Sequence, residues 1–171
     1  MSRKLQFAIF GNCHQPKKSA SILKLLDCLK QQGAEVLMEQ KFHSFLTVTQ
    51  QLSVEGVTLF NGSDFDADFV LSLGGDGTFL RAASMVGAKQ VPILGVNMGR
   101  LGFLADAGAD DFEQTLDALY HDDFSLEDRA LIRVETNGVA IEGCPCALND
   151  VAILKRDTAS MISIRTSING E

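Results

Sequence analysis

The sequence has little positive charge. Its 15 lysine and arginine residues stand against 22 aspartate and glutamate residues, which gives a formal net charge of −7. Proteins that bind nucleic acid regardless of its sequence need a basic surface that displaces counterions from the phosphates. The charge balance therefore argues against a nucleic-acid partner, although a local basic patch remains compatible with a small anionic ligand such as a nucleotide.

A long apolar run is also missing, since no stretch approaches the roughly 20 residues that cross a bilayer. Residues 1–10 combine polar side chains with a short apolar stretch and contain no small-residue cleavage site. They therefore indicate a first strand rather than a signal peptide. We expect a cytoplasmic protein without a membrane partner.

Cysteine and histidine pairs at the spacing of a metal site are missing as well. The four cysteines are Cys13, Cys28, Cys144 and Cys146, and the three histidines are scattered. Cys28 falls within an apolar helical stripe, and the Cys144 and Cys146 pair has no second pair at ligand spacing. We expect reduced, structural thiols and no dedicated protein metal site.

An alternation of strand and helix patterns fills the first two-thirds of the sequence. Hydrophobic residues make up 46% of the chain and charged residues 22%, an ordinary balance for a folded domain. Because strands and helices alternate, we expect an α/β domain with a parallel sheet and helices on both faces. The predicted strands are residues 5–10, 35–38, 68–73 and 91–96, and the predicted helices are residues 17–32, 78–86, 110–121 and, with a less regular pattern, 42–52.

The pattern changes near Ser125, after which only strand-like runs occur. These runs are residues 131–136, 139–146, 151–155 and 161–168. Asn137-Gly138 and Asn169-Gly170 are typical of hairpin turns, whose central residues need positive φ. We predict an α/β domain over residues 1–125 and an incomplete antiparallel β domain over residues 126–171. Since the last turn has no returning strand, we interpret the sequence as a fragment.

One segment between a buried strand and a helix has the pattern of a phosphate-binding site. It reads Gly74-Gly75-Asp76-Gly77-Thr78 and is here called the glycine turn. Ligands of open parallel sheets bind beyond the carboxyl ends of the strands, where this turn lies. The three glycines allow close approach of the backbone and conformations closed to other residues, and their amides suit phosphate oxygens. The candidate phosphate-binding residues are Gly74, Gly75, Gly77 and Thr78.

The carboxylate of Asp76 repels phosphate, so it is expected in an anion-binding turn only if it has a separate role. It fits a group that accepts a proton from an attacking hydroxyl, or orients that hydroxyl, during phosphoryl transfer. Asp76 is therefore the candidate base. The alternative is a tight turn in which Asp76 only caps the following helix.

Two later segments add candidate ligand contacts. Residues 95–106, here called the Phe103 loop, follow the next strand and are expected beside the glycine turn. The ring of Phe103 could pack on a base, or it could lie in the core of a connecting loop. Asn149 and Asp150 open a strand in the β part. They could hold a nucleoside's base and ribose hydroxyls, or form only a turn.

Taken together in this order, these segments resemble the NAD kinase family over nearly the whole chain. The Phe103 loop carries the pattern Gly-x-Asn-x-Gly-x-Leu-Gly-Phe-Leu, whereas the glycine turn is shared with diacylglycerol, sphingosine and phosphofructo-kinases. The resemblance implies transfer of a phosphoryl group from ATP, or from polyphosphate, to the 2′-hydroxyl of NAD's adenosine ribose, which makes NADP. It also implies Mg²⁺ that arrives with the triphosphate, and a homodimer or homotetramer.

The resemblance also assigns roles to individual residues. Asp76 would activate the hydroxyl, Gly77 would lie against the NAD, and Phe103 would contact the adenine. Asn149 and Asp150 would hold the nucleoside, with Asp150 standing where many members have glutamate.

Arg81, one turn into the helix, is a further candidate for contact with the NAD or its phosphates, and a solvated helix face is the alternative. The family continues with a segment rich in glycine, serine and threonine that completes the site, and this sequence contains none of it. We therefore expect this chain alone to be weak or inactive. The alternatives are a lipid or sugar kinase relative, or a nucleotide-binding module without turnover.

Overall fold

A computed structural model of the chain describes residues 4–14, 18–99, 102–105, 107–109, 111–138, 140–141, 145–155 and 161–171. Some positions in the predicted segments lie outside these described residues, namely Lys17, Arg100, Leu101, Asp106, Asp110, Val139, Glu142, Gly143 and Cys144. Among the described residues, no helix combines the length and the apolar character needed to cross a bilayer.

The main sheet contains six strands, β1 (Gln6–Gly11), β2 (Glu35–Glu39), β3 (Thr58–Phe60), β4 (Phe69–Gly74), β5 (Ile93–Asn97) and β6 (Ala107–Gly108). Their spatial order is β3-β2-β1-β4-β5-β6, and all neighbouring strands run parallel. Every residue of β4 is buried. Its nearly continuous apolar sequence follows from this position, because a central parallel strand is covered on both faces.

In the part of the chain that the structure describes, four α-helices cover the two faces of the sheet, α1 (Ser19–Gln31), α2 (Gln40–Ser44), α3 (Asp76–Val86) and α4 (Phe112–Tyr120). Successive side chains of a strand point to opposite faces. Phe7 and Leu71 accordingly pack in one apolar cluster with residues of α1, α2 and α4. Phe10 and Val70 pack in a second cluster with residues of α3. The predicted parallel α/β fold with helices on both faces is confirmed.

The direction of the strand order reverses between β1 and β4. The chain leaves β1 toward β2 on one side, and it leaves β4 toward β5 on the other. Such a reversal opens a crevice beyond the carboxyl ends of the strands. The register pairs Gly11 with Leu73 and Gly74 with Asn97, so the three central strands end at the same level. The loops that follow them therefore meet at one edge of the sheet.

Two strands were not predicted from the sequence, and one helix differs from its prediction. β3 has three residues, two of them exposed, and β6 has two residues, so neither produces an apolar run. The helix predicted for residues 42–52 begins earlier, as α2, and continues as a π-helical turn at Phe45–Thr49. Short elements of this kind depend on tertiary pairing and packing more than on local pattern.

The described residues after α4 contain less regular structure than the sequence predicts. Strands β7 (Ile132–Arg133) and β8 (Cys146–Ala147) pair antiparallel and begin the predicted β part. The strands predicted at residues 151–155 and 161–168 are wrong, since these residues are exposed and form no strand. A strand needs a neighbour for its backbone groups, and these residues pair with none in the described part of the chain.

The two Asn-Gly turns differ from each other. Asn169 and Gly170 have φ of 54° and 90°, and Ile168 and Glu171 exchange backbone hydrogen bonds of 2.8 and 3.1 Å. The hairpin-type turn predicted there is confirmed. At the earlier turn only Gly138 has positive φ, so the prediction of positive φ at both central residues is wrong for that turn.

Candidate active site

The glycine turn joins the buried end of β4 to α3. Gly74 is the last residue of β4, Gly75 precedes the helix with φ −107°, and Asp76 is the first residue of α3. The carbonyl of Gly75 accepts hydrogen bonds from the amides of Thr78 (2.9 Å) and Phe79 (3.2 Å). The turn therefore places a helix N-terminus, whose dipole attracts anions, at the carboxyl edge of the sheet.

The glycines of the turn are needed for the room that they leave around the backbone rather than for an unusual backbone conformation. None of Gly74, Gly75 and Gly77 has positive φ, so the expectation of conformations closed to other residues is wrong. A Cβ on Gly74 would overlap the Thr78 hydroxyl, whereas a Cβ on Gly75 or Gly77 would meet no atom within 4 Å. Gly74 is thus required by packing, and the other two leave open room in front of the helix.

The Asp76 carboxylate is bound by the Phe103 loop. Its Oδ2 accepts a hydrogen bond from the Phe103 amide and its Oδ1 accepts one from the Leu104 amide, each at 3.0 Å. A Cβ on Gly102 would overlap this carboxylate. The hydrogen bonds from Phe103 and Leu104 hold the pKa of Asp76 below its ordinary value, because they stabilise the charged form.

The alternative in which Asp76 only caps α3 does not describe this geometry. No side-chain hydrogen bond caps the N-terminus of α3, and both carboxylate oxygens accept from amides more than 25 positions away. Each oxygen keeps a further lone pair for another donor. Asp76 is therefore an ionised acceptor whose orientation is fixed by the amides of Phe103 and Leu104.

The Phe103 ring points into solvent. Its exposed fraction is 94%, so the alternative that places Phe103 in the core is wrong. The backbone amide of the same residue is bound to Asp76. An exposed aromatic face is thereby held close to the carboxylate, an arrangement suited to stacking on a flat ligand.

A cavity of about 380 Å³ opens at the reversal of the strand order. Its walls come from the loop after β1, from the start of α2, and from the glycine turn with the first turns of α3. The lining residues are Gly11, Asn12, Cys13, His14, Lys41, Gly75, Gly77, Thr78 and Arg81. We call it the switch-point cavity. Backbone amides, a hydroxyl and two cationic side chains converge there, and these groups are suited to binding phosphate.

Arg81 reaches from α3 across the ends of β1 and β2. Its Nη1 donates to Oε1 of Glu39, and its Nη2 donates to the Gly11 carbonyl at 2.9 Å. The guanidinium carbon lies 5.7 Å from the centre of the Phe10 ring. The side chain is 31% exposed, so the alternative of a fully solvated helix face is wrong.

Asn149 and Asp150 lie outside the lining of the switch-point cavity. They line a second cavity, of about 160 Å³, with residues of α3 that include Leu80, Ala83 and Ser84. The Asn149 amide lies 3.4 Å from Oδ1 of Asp150, and both residues are exposed. The structure therefore places this pair along the side of α3, and the lining of the switch-point cavity does not include it.

Sequence reasoning did not identify the wall opposite the glycine turn. The residues from Gly11 to His14 and the side chain of Lys41 carry no recognisable motif, although they lie at or just after the ends of β1 and β2. The rule that ligands bind beyond the carboxyl ends of strands could have indicated them. The partnership of Glu39 with Arg81 has no signal in the sequence.

Comparison with known proteins gives the family. A family model described as the ATP-NAD kinase N-terminal domain matches residues 7–124. NAD kinase of Bacteroides fragilis is 48% identical over 166 residues, which are 97% of this chain and 57% of that protein. NAD kinase of Porphyromonas gingivalis is 39% identical over 167 residues, again 97% of this chain and 57% of the relative. The chain thus spans somewhat more than half the length of these relatives.

A solved structure agrees on the fold. Yeast NADH kinase in complex with NADH superposes with a TM-score of 0.64 at 18% identity, covering 84% of this chain and 46% of that chain. At this identity the likeness concerns the fold alone. The family model and the sequence relatives decide the assignment, and the chain belongs to the NAD kinase family.

Proposed function

We propose that this protein is an NAD kinase, which transfers a phosphoryl group from ATP or polyphosphate to the 2′-hydroxyl of NAD's adenosine ribose and forms NADP. The observation that carries the proposal is the pair of hydrogen bonds from the Phe103 and Leu104 amides to Asp76. They join the glycine turn to the loop that distinguishes NAD kinases from other kinases with the same turn. The named relatives support the same reaction.

In this proposal Asp76 orients the ribose hydroxyl and accepts its proton. The amides that bind its two oxygens keep it ionised, and a carboxylate has further lone pairs that can accept from the hydroxyl. A carboxylate with a lowered pKa is a weak base. Phosphoryl transfer nevertheless passes through a loose transition state, in which positioning the hydroxyl counts for more than removing its proton early.

The donor phosphates occupy the switch-point cavity. Gly75 and Gly77 leave room for phosphate oxygens, and Thr78, Lys41 and Arg81 supply donors around them. ATP and polyphosphate share this chain of phosphates, so the cavity suits either. The Mg²⁺ that such a reaction uses would be held by the donor phosphates rather than by side chains, and it would supply neutralisation of their charge. Within the described part of the chain, no three histidine, cysteine or acidic side chains are placed to hold a metal ion.

The NAD lies on the other side of Asp76. The exposed ring of Phe103 stacks on the adenine, and Gly77 lies against the ligand. Asn149 and Asp150, which follow β8, hold the nucleoside. The exposure of both residues leaves their side chains accessible to a ligand.

The same proposal includes location and assembly. We propose a cytoplasmic homodimer or homotetramer, with the α/β domain and the β part divided near Ser125. The thiols of Cys13 and Cys28 are free, as is usual in a reducing compartment. The division is supported by the end of α4 at Tyr120 and the start of antiparallel pairing at Ile132.

The decisive experiment measures NADP formation by two proteins. One is the chain itself, and the other is a chimera in which this chain replaces the matching 166 residues of Bacteroides fragilis NAD kinase. We expect turnover of NAD by the chimera and little by the chain alone, because catalysis requires several groups to be positioned together. Parallel assays with ATP and with polyphosphate identify the donor.

Acceptors of other kinases provide the contrast. The chimera is offered a diacylglycerol, a sphingoid base and a sugar phosphate under the same conditions. Phosphorylation of one of these in preference to NAD would contradict the proposal and favour a lipid or sugar kinase. A folded chimera that binds nucleotide without phosphorylating any acceptor would instead indicate a binding module.

A further inference from the structure

Glu39 is an acidic residue in the core of the domain. It is the last residue of β2, and only 8% of its surface is exposed. One carboxylate oxygen binds Arg81, and the other is buried with no hydrogen-bond partner in the described part of the chain. A buried carboxylate with an unsatisfied oxygen is costly, and an apolar residue in its place is often as stable or more so. Stability alone therefore gives a poor reason for a glutamate at this position.

The partner of Glu39 belongs to the switch-point cavity. Arg81 lines the cavity with Thr78 and Gly77, and 31% of its side chain is exposed there. Glu39 fixes one nitrogen of the guanidinium, and the Gly11 carbonyl fixes another. Because a guanidinium carries five N–H donors in a planar fork, the bound edge leaves other N–H groups directed away from these partners.

A side chain that is already fixed before the ligand binds loses less conformational entropy on binding. The entropic cost of binding is therefore lower. An unrestrained arginine has several rotatable bonds, and ordering such a side chain at an interface lowers the affinity of the complex. Glu39 thus determines where the positive charge of Arg81 is available.

We propose that Glu39 is a positioning residue for the phosphoryl donor, acting through Arg81 and without touching the ligand. This inference rests on the proposed function, because it assigns the switch-point cavity to donor phosphates. It predicts that removing the charge of Glu39 weakens phosphate binding only while Arg81 is present.

The test titrates tripolyphosphate into this chain by calorimetry. For Glu39→Gln we expect the dissociation constant to rise about tenfold, the loss of one charge-assisted contact. The matched control is Glu35→Gln, at the other end of the same strand, where the carboxylate lies 3.4 Å from the exposed Lys4. We expect this variant to bind like the unmodified chain. Circular dichroism establishes that each variant is folded.

A double-mutant cycle separates positioning from a structural role. Arg81→Met, which removes the charge, should weaken binding, and adding Glu39→Gln to it should weaken binding no further. If Glu39→Gln does not fold, Glu39→Asp keeps the charge at a shorter reach and should give a smaller loss in the same direction.

The possible failures are distinguishable. Binding that is equal in the glutamine variants at positions 39 and 35, or a loss that persists in the Arg81→Met background, would overturn the role of Glu39 and leave the donor site intact. Absence of tripolyphosphate binding by the unmodified chain would overturn the donor site itself, and this inference with it.

Discussion

The Asp76 carboxylate accepts a hydrogen bond of 3.0 Å from the backbone amide of Leu104, which lies 28 positions later in the sequence. The donor is a backbone group of a loop that follows the neighbouring strand, and the next amide toward the N-terminus binds the other oxygen. The first residue of α3 and the Phe103 loop are thus one structural unit. The orientation of the candidate base consequently depends on residues that do not themselves carry reactive groups.

Gly102→Ala should disrupt this unit. The added Cβ would overlap the Asp76 carboxylate, so the loop or the carboxylate must shift. A displacement of about 1 Å can lower turnover on the order of a hundredfold, and steady-state NADP formation by the chimera measures it. The control is Gly33→Ala, at φ 70° and with open space around its Cβ, which should cost about 1 kcal/mol of stability and leave turnover unchanged. Equal turnover in the Gly102→Ala and Gly33→Ala variants would contradict the claim that Asp76 and the Phe103 loop form one structural unit.

Asp76→Asn should abolish most of the activity. The amide cannot accept the hydroxyl proton, and loss of a positioned base costs typically 10²–10⁴-fold. Asp117→Asn, on the exposed face of α4, is the matched control and should retain full activity. The measurement is kcat at saturating NAD. Undiminished turnover by the Asp76 variant would show that this carboxylate is not the base.

The pH dependence of stability should report the anchoring of Asp76. Its pKa is lower in the folded chain than in the unfolded chain, so its contribution to stability is present above the unfolded pKa and is lost as pH falls through the folded value. The unmodified chain should therefore exceed Asp76→Asn in stability by a constant amount from pH 8 to pH 5. Below about pH 4 the difference should shrink. Urea unfolding at each pH measures the free energy of unfolding of the two proteins. A difference between them that grows toward acid pH would contradict the anchoring of Asp76.

Phe103→Ala should affect binding and not stability. With 94% of the residue exposed, the free energy of unfolding should change by less than about 0.5 kcal/mol. The KM for NAD in the chimera should rise because a stacking surface is lost. Phe124→Ala is the aromatic control, since its ring packs edge-on against Phe69 at 5.6 Å. That variant should lose stability and keep its KM, and the opposite pattern would remove Phe103 from the site.

Cys13 should report occupation of the switch-point cavity. Burial raises the pKa of its thiol, so alkylation by iodoacetamide should be slow at pH 8 and accelerate with rising pH as the thiolate forms. Because Cys13 lines the cavity, tripolyphosphate should protect it. Cys28, on α1 and outside the cavity, provides the internal control. Peptide mass spectrometry follows both sites, and equal protection of both would indicate a general effect on the fold.

The sequence predicts the centre of this fold better than its margins. β1 and β4 are long, apolar and covered on both faces, so their composition reflects their environment directly. β3 and the strand-like residues 151–155 show the limits of such a pattern. The first forms by pairing with β2 in spite of two exposed residues, and the second finds no partner in the described chain.

The candidate site likewise contains some features that could be predicted from the sequence and others that could not. Asp76 and the glycines around it could be predicted because few residue types suit a turn before an anion-binding helix. The amides that hold Asp76 could not, since any residue supplies a backbone N–H. The Glu39–Arg81 pair was equally out of reach, because its members lie 42 positions apart and meet only through the sheet.

The outermost strands of the main sheet have a consequence for association between molecules. β3 pairs through three residues and β6 through two, so each margin of the sheet offers only a short row of free backbone groups. Such short rows are poor templates for adding a strand from another chain. Copies of this domain should therefore resist joining sheet to sheet into a continuous fibre, and specific assembly would have to use side chains on other surfaces.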